Sequence, residues 1–521
     1  MNKIVIKLTL SIFAFGVTSL VYGQVDKKVL NWYNGGGTGM QTEKAYKKLK
    51  NRPSSTVVVA IIDSGMDIEH EDLKGKIWVN EDEIAGNGID DDNNGYIDDV
   101  HGWNFLGNAD GENANDIRLE MTRIYAELNK KYGNTPFTIS SEEDSAEYDL
   151  YLEVKEEVES TRQYAQMVLG VVEQRMASAD EAGKAQMQRA KDHFETQLNI
   201  HYNPDHDGRA LIGDDANDFT DVNYGNNDVE GPDAFHGTHV GGIVGAVRGN
   251  ELGGDGVAND VKLMSIRAVP NGDEFDKDIA LAIRYAVDNG ASVINMSFGK
   301  AYSPNAMEVY EAFKYADSQG VLLVHAAGND NKDIDEEPNF PTSMYEFQDR
   351  KLDHFLTIGA STRFPSEVKN IDVEAKAKGN PEKLAKLRID NQFAGNDLSA
   401  DFSNYGKKGV DVFAPGFEIY NSVPQSDYAA IAGTSMACPM VAGAAAMLKS
   451  YFPEMSMKEI KNVLLSSSTK YIGESVVLPG GKSYDPKKVS ETIDFGNLSV
   501  TGGVINLYNA VNTCLELENA K

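Results

Sequence analysis

The stretch Thr56-Val57-Val58-Val59-Ala60-Ile61-Ile62-Asp63-Ser64-Gly65 decides the fold. Residues 56–62 are β-branched or apolar with no polar alternation, the pattern of a strand covered on both faces. Comparable runs at 261–266, 291–295, 321–325 and 355–358 predict further buried strands. Between them, 278–289 and 306–318 carry helical spacing, and Gly320 stands in the position that closes the second helix. Strands alternating with helices imply an α/β architecture, a mostly parallel sheet with helices on both faces. Such sheets gather their chemistry at the carboxyl ends of strands, where Asp63 stands.

A carboxylate ending an apolar strand is costly to bury unless a cation or a donor meets it. Two other segments offer partners: His236-Gly237-Thr238-His239-Val240-Gly241-Gly242, and Gly433-Thr434-Ser435-Met436-Ala437 leading into an Ala-rich helix. Alone, Asp63 reads as a turn residue and Ser435 as a helix cap. Spacing does not say which of His236 and His239 is a base and which is packed. Together the three residue types suggest acyl transfer, in which imidazole accepts the serine proton and a carboxylate holds the imidazole. The segments Ile61-Ile62-Asp63-Ser64-Gly65, His236-Gly237-Thr238-His239-Val240 and Gly433-Thr434-Ser435-Met436-Ala437-Cys438-Pro439 resemble the subtilisin-like serine proteases, in the family order Asp, His, Ser.

That resemblance implies a three-layer subtilisin-like fold and an exported serine endopeptidase of broad specificity. It implies that Ser435 is the nucleophile, His236 the base and Asp63 its orienting carboxylate, leaving His239 structural. Val324-His325-Ala326-Ala327-Gly328-Asn329-Asp330 resembles the stretch whose asparagine stabilises the oxyanion, which points to Asn329 beside the Ser435 N–H. Residues 293–299 resemble the strand that pairs with substrate. Ser297, Phe298 and Gly299 would form one wall of the pocket for the residue before the scissile bond (P1), with Ala327 and Gly328 opposite. Small residues there leave room for a large apolar or otherwise uncharged P1 group, although a packing role for Phe298 fits equally. The competing reading is a non-catalytic, calcium-dependent binding or chaperone-like protein on the same scaffold.

A different chemistry is written in Asp90-Asp91-Asp92-Asn93-Asn94-Gly95-Tyr96-Ile97-Asp98-Asp99. Oxygen donors at positions 1, 3 and 5, glycine at 6, a carbonyl at 7 and an acid at 9 match the first part of a calcium loop. His101 replaces the closing glutamate. The expected structural Ca²⁺ ligands are Asp90, Asp92, Asn94, the Tyr96 carbonyl and Asp98, the alternative being an acidic Asx-rich turn. Asp205, Asp207, Asp214 and Asp218 read as solvated surface.

The chain has 521 residues and a formal charge of −31, which opposes nucleic-acid or anionic-membrane partners. Cys438 and Cys514 are too few for a disulfide-dense scaffold or a four-cysteine zinc site, and a buried free thiol at 438 is the expectation, with a single bridge to Cys514 as the alternative. Lys3, Lys7 and an apolar run over 8–21 read as a secretory signal over 1–23, implying a periplasmic or extracellular destination and no stable membrane anchor after cleavage. Residues 24–54 read as a packing segment too short for a large propeptide. The catalytic domain is expected over 55–112 and 203–480, and 481–521 completes it with no room for a large binding or sorting domain. Asp63 and His236 lie 173 residues apart, so 113–202 is an insertion. Tyr151, Val154, Val158, Thr161, Ala165, Val168 and Val172 form one helical seam, and Ile117, Met121, Ile124 and Leu128 another. They predict a helical hairpin or small bundle that serves as a lid, a partner-docking arm or an appendage. A polar stretch over 368–396 reads as a helical loop. The remaining partners are protein or peptide substrates.

Overall fold

The computed structural model describes residues 29–133, 139, 141–364, 397–482 and 490–520. The signal expected over 1–23 and the helical loop expected over 368–396 lie outside the described residues. Nine strands form one sheet: β1 (Val57–Asp63), β2 (Gly102–Asn104), β3 (Val261–Arg267), β4 (Val293–Met296), β5 (Leu322–Ala326), β6 (Phe355–Ser361), β7 (Val412–Pro415), β10 (Thr469–Lys470) and β13 (Gly503–Val504). Their order across the sheet is β10-β13-β7-β6-β5-β4-β1-β3-β2, and every pair is parallel except β10 with β13. From β1 the chain runs outward to the edge strand β2 and then back through β3 to β4 on the other side of β1, after which it continues away through β5, β6 and β7, so the topological switch point lies at the ends of β1 and β4.

Side chains of β1 divide between two cores, as alternate residues of a strand must. Val57, Val59 and Ile61 enter the larger core with helices α1 (Thr42–Leu49), α5 (Phe235–Gly245), α8 (Thr434–Tyr451), α9 (Met457–Ser467) and α10 (Leu507–Ala520). Ala60 and Ile62 enter the opposite core with α6 (Asp276–Asp288) and α7 (Ala306–Ser318). Burial of each such Ile or Val side chain contributes roughly 1.5–3 kcal/mol. Tyr33, Met40, Ala45 and Leu49 bring the amino-terminal segment into the larger core, and Leu507, Ala510 and Val511 bring in the carboxyl-terminal helix. Two hairpins complete the set, β8 (Ile419–Val423) with β9 (Asp427–Ile431) and β11 (Ser475–Val477) with β12 (Thr492–Asp494).

The insertion is helical: α2 (Glu120–Tyr132), α3 (Glu142–Ser178) and α4 (Glu181–Thr196), ending in a π turn over Gln197–His201. With 37 residues, α3 is about 55 Å long at 1.5 Å per residue. The expected seam is buried near the root, where Tyr125, Tyr132, Tyr151, Val154 and Val158 pack together. Val172, farther along the same seam, is only partly buried. Ile117 departs from its expected seam and enters the α6–α7 core, so it ties the insertion to the main body. At the root a buried ion cluster joins the two parts. Lys300 Nζ pairs with Glu120 at 2.7 Å and Asp276 at 2.8 Å, and Glu120 also pairs with Arg123.

One surface expectation is overturned. Asp205, Asp207 and Asp218 are exposed, but the side chain of Asp214 is 1% exposed between Arg209 and Lys277, each at 2.8 Å. Arg209 also holds Asp278 at 2.7 Å, and these cations supply what a buried carboxylate requires.

Candidate active site

Asp63 is the last residue of β1 and is 2% exposed. Its Oδ1 accepts the Ser64 N–H at 2.8 Å and faces His236 Nδ1 at 2.7 Å. His236 lies in the first turn of α5, whose approach to β1 depends on Gly237. A Cβ there would stand 2.0 Å from the Gly65 carbonyl oxygen and 3.1 Å from the Asp63 Cβ. Burial lowers the affinity of His236 for a proton, but the charge and hydrogen bond of Asp63, aided by Asp233, outweigh it and raise the pKa above its usual value. His239, one turn along, is fully buried with Nε2 3.1 Å from the carbonyls of Ile419 and Ala429. Desolvation holds its pKa down to about 3, so it is a neutral packing group.

Ser435 is in the first turn of α8, which packs on α5 and on β1, β4 and β5. Pro439 lies inside α8, five residues after its start at Thr434. Pro439 has no N–H to offer the Ser435 carbonyl one turn back. The Ser297 hydroxyl takes that place, donating to the Ser435 carbonyl at 2.9 Å while it accepts from Asn295 Nδ2 at 2.9 Å. The missing bond thus ties the end of β4 to the turn that carries Ser435.

Asn329 follows β5 and is exposed. Its Oδ1 accepts from the Thr434 N–H at 2.8 Å and from the Thr434 hydroxyl at 3.0 Å, which leaves Nδ2 free to donate elsewhere. The point where a Cβ on Gly433 would stand is 3.7 Å from Asn329 Nδ2 and 3.6 Å from Ser435 N. The two N–H groups therefore flank one small space that a glycine leaves open, the arrangement that suits an oxyanion. Asn404, buried, braces this loop: it donates to Ala327 O at 2.9 Å and accepts from the N–H groups of Asp330 and Lys332, both at 2.9 Å. Thr434 and Asn404 were not singled out as site residues from sequence. Thr434 stands in the segment that carries Ser435, but these bonds of both residues join positions 70 or more residues apart.

Of the expected pocket residues, Ser297, Phe298 and Ala327 are buried, Gly299 is exposed and Gly328 is partly so. His325 Nε2 meets the Phe298 carbonyl at 2.8 Å, and desolvation lowers its pKa to about 4, so a neutral ring donates there and holds the wall. Cys438 and Cys514 are both buried free thiols, and Cys438 Sγ lies 3.1 Å from Val324 O beneath the site.

The acidic loop gathers a different set from the one expected. Oxygens of Glu83, Asp90 and Asp92 lie within 4.8 Å of one another. Asp98 is directed away, its carboxylate accepting from the N–H groups of Asn87 at 3.1 Å and Gly88 at 2.8 Å. Asn94 Oδ1 accepts from the Tyr96 N–H at 2.8 Å, and the Tyr96 ring packs on Trp103, Phe105 and Tyr285. Glu83 was missed because the loop template begins seven residues after it. Its Oε2 is buried without a partner, and three convergent carboxylates repel unless a cation stands between them.

The profile of the subtilase family (peptidase S8) matches residues 54–481. The chain belongs to the subtilase family. Relatives of this subtilase include the thermophilic serine proteinase of Bacillus sp. (strain AK1), 35% identical over 47% of the chain and 49% of the relative. Subtilisin DY of Bacillus licheniformis is 31% identical over 46% of the chain and 72% of the relative. The cell wall-associated protease of Bacillus subtilis (strain 168) is 32% identical over 47% of the chain and 22% of the relative. The match thus spans about half of the first of these relatives and less of the last. No helix among the described residues is long and apolar enough to cross a membrane.

Proposed function

We propose that this subtilase is an exported serine endopeptidase that cleaves protein or peptide chains through an acyl-enzyme. The observation that carries the reading is the 2.7 Å contact between Asp63 Oδ1 and His236 Nδ1, at the switch point of the sheet beside the helix that starts with Thr434-Ser435. With Nδ1–H donated to Asp63, His236 Nε2 carries the lone pair that takes the Ser435 proton as Oγ attacks the peptide carbonyl. The imidazolium then returns the proton to the leaving amine. A water deprotonated by the same nitrogen releases the acyl group. Asn329 Nδ2 and the Ser435 N–H would donate to the oxyanion. The extended substrate would lie against 297–299, where backbone bonds give affinity and side-chain pockets give preference. The homologous proteinases and the raised His236 pKa support this reading. The test is to incubate the purified protein with casein and a fluorophosphonate probe. Casein cleavage with labelling of Ser435 is expected, and an unlabelled Ser435 with intact casein would leave only the binding-protein reading.

We also propose that Glu83, Asp90 and Asp92 hold a structural Ca²⁺, since an all-oxygen, carboxylate-rich set suits that ion. Bound there, it would neutralise the cluster and fix a loop that reaches the core through Asp99, which accepts from Tyr285 Oη at 2.7 Å and Asn80 Nδ2 at 2.9 Å. A ligand at 100 times its Kd stabilises the folded state by about 2.7 kcal/mol. Millimolar Ca²⁺ is therefore expected to raise Tm relative to EDTA by a few degrees, and Glu83→Gln with Asp92→Asn is expected to remove the difference. Equal Tm values for the unmodified protein in Ca²⁺ and in EDTA would reject the site.

A further inference from the structure

The space between the two candidate pocket walls holds a side chain that neither wall supplies. Asn339 Nδ2 lies 2.7 Å from where a Cβ on Gly299 would stand and 3.3 Å from where one on Gly328 would stand. The carboxamide therefore spans the gap between the 297–299 wall and the 327–328 wall. Its segment is fastened to the first wall, because Lys300 and Phe340 exchange backbone hydrogen bonds at 2.8 Å in both directions. Asn339 Nδ2 is nevertheless buried with no hydrogen-bond partner. Two polar groups beside it are committed elsewhere. Asn404 Nδ2, 2.3 Å from the same Gly328 Cβ position, donates to Ala327 O at 2.9 Å. Lys300, next to Gly299, commits its ammonium to Glu120 at 2.7 Å and Asp276 at 2.8 Å.

An unpaired buried N–H destabilises the fold unless an incoming group accepts from it. A pocket built to hydrogen-bond its ligand rejects an analogue of equal size that lacks the bonding atom. We infer that Asn339 determines P1 specificity, selecting a side chain with an uncharged carbonyl acceptor, glutamine or asparagine, over an apolar one. A carboxylate would also accept the bond, but Lys300 offers it no counter-charge because its ammonium is already paired. The Asn339 amide also takes up room that the small residues at 327 and 328 leave, so the pocket is less suited to a large apolar group than the sequence suggests. The inference rests on the peptidase reading of the site.

The experiment compares the full chain on peptide anilides identical except for glutamine, methionine or glutamate at P1. Glutamine and methionine have similar length and volume, so their ratio isolates the acceptor. We expect kcat/KM for glutamine to exceed that for methionine at least ~10-fold and to exceed that for glutamate. In Asn339→Leu the glutamine-to-methionine ratio is expected to fall to one or below. A methionine peptide cleaved as well as the glutamine peptide by the unmodified enzyme overturns the inference whatever the variant does. So does an unchanged ratio in Asn339→Leu. If Ser435 takes the fluorophosphonate and cleavage is indifferent to P1, the peptidase reading stands and the inference falls. If Ser435 is unlabelled and no peptide is cut, both fall.

Discussion

Ser435→Ala is expected to lower peptide kcat by about 10⁶-fold, the loss known for the same change in subtilisin itself. At 1.36 kcal/mol per tenfold, that is about 8 kcal/mol of transition-state stabilisation. The substitution removes the atom that forms the acyl bond and little else. Ser435 joins the neighbouring wall through its carbonyl, which accepts from Ser297 Oγ at 2.9 Å, and alanine keeps that carbonyl. The N–H at 435 and the Thr434–Asn329 bonds also remain, so stability should change by less than about 0.5 kcal/mol. The residual rate should be that of donors acting on a carbonyl attacked by water. Adding His236→Ala to the variant should therefore cost little more, since a base without its nucleophile has lost its role. The measurements are steady-state peptide hydrolysis and thermal unfolding. More than about one part in a hundred of the original kcat, with Tm unchanged, would remove Ser435 from the nucleophile role.

How much of this was legible in the sequence depends on how far apart the interacting residues lie. The run 57–62 declared a strand covered on both faces because every residue in it meets one of two cores. The α3 seam was legible for the same local reason, since Tyr151, Val154 and Val158 follow one helical face. Asp63, His236, Ser435 and Asn329 were each found at a strand or helix end, but only as separate segments. What joins them, Ser297 to the Ser435 carbonyl and Thr434 to Asn329, crosses more than a hundred residues. Asp214 looked solvated because Lys277, 63 residues away, is not a neighbour in the sequence. Asp98 fitted a spacing template, yet the N–H groups of Asn87 and Gly88 compete for its carboxylate. Asn339 lay in a stretch of mixed polar residues with no periodicity, and only its distances to Gly299 and Gly328 mark it.

Asp63→Asn should separate the two effects that a carboxylate exerts on His236. The first is tautomeric. Asp63 Oδ1 can only accept, so Nδ1 must carry a proton and Nε2 must be the base. An asparagine amide can donate to Nδ1 instead, which places the proton on Nε2 and removes the lone pair that Ser435 needs. In another Asp-His-Ser enzyme that change costs about 10⁴-fold in kcat, and a loss of that order is expected here. The second effect is on the proton affinity of the ring. Burial disfavours the imidazolium, while the Asp63 charge and hydrogen bond favour it and prevail. His236 acts when neutral, so activity rises as pH passes upward through its pKa, and a raised pKa places that limb above the ordinary histidine value of about 6.5. Removing the charge leaves burial unopposed except by the more distant Asp233. The acid limb of kcat/KM should therefore move to lower pH in Asp63→Asn even as the plateau falls. A profile from pH 4 to 9 for both proteins on one peptide reads both effects. A limb that stays in place or moves to higher pH would mean that another group governs it, whatever the size of the rate loss. A plateau within tenfold of the original would mean that the tautomer is held by something other than Asp63.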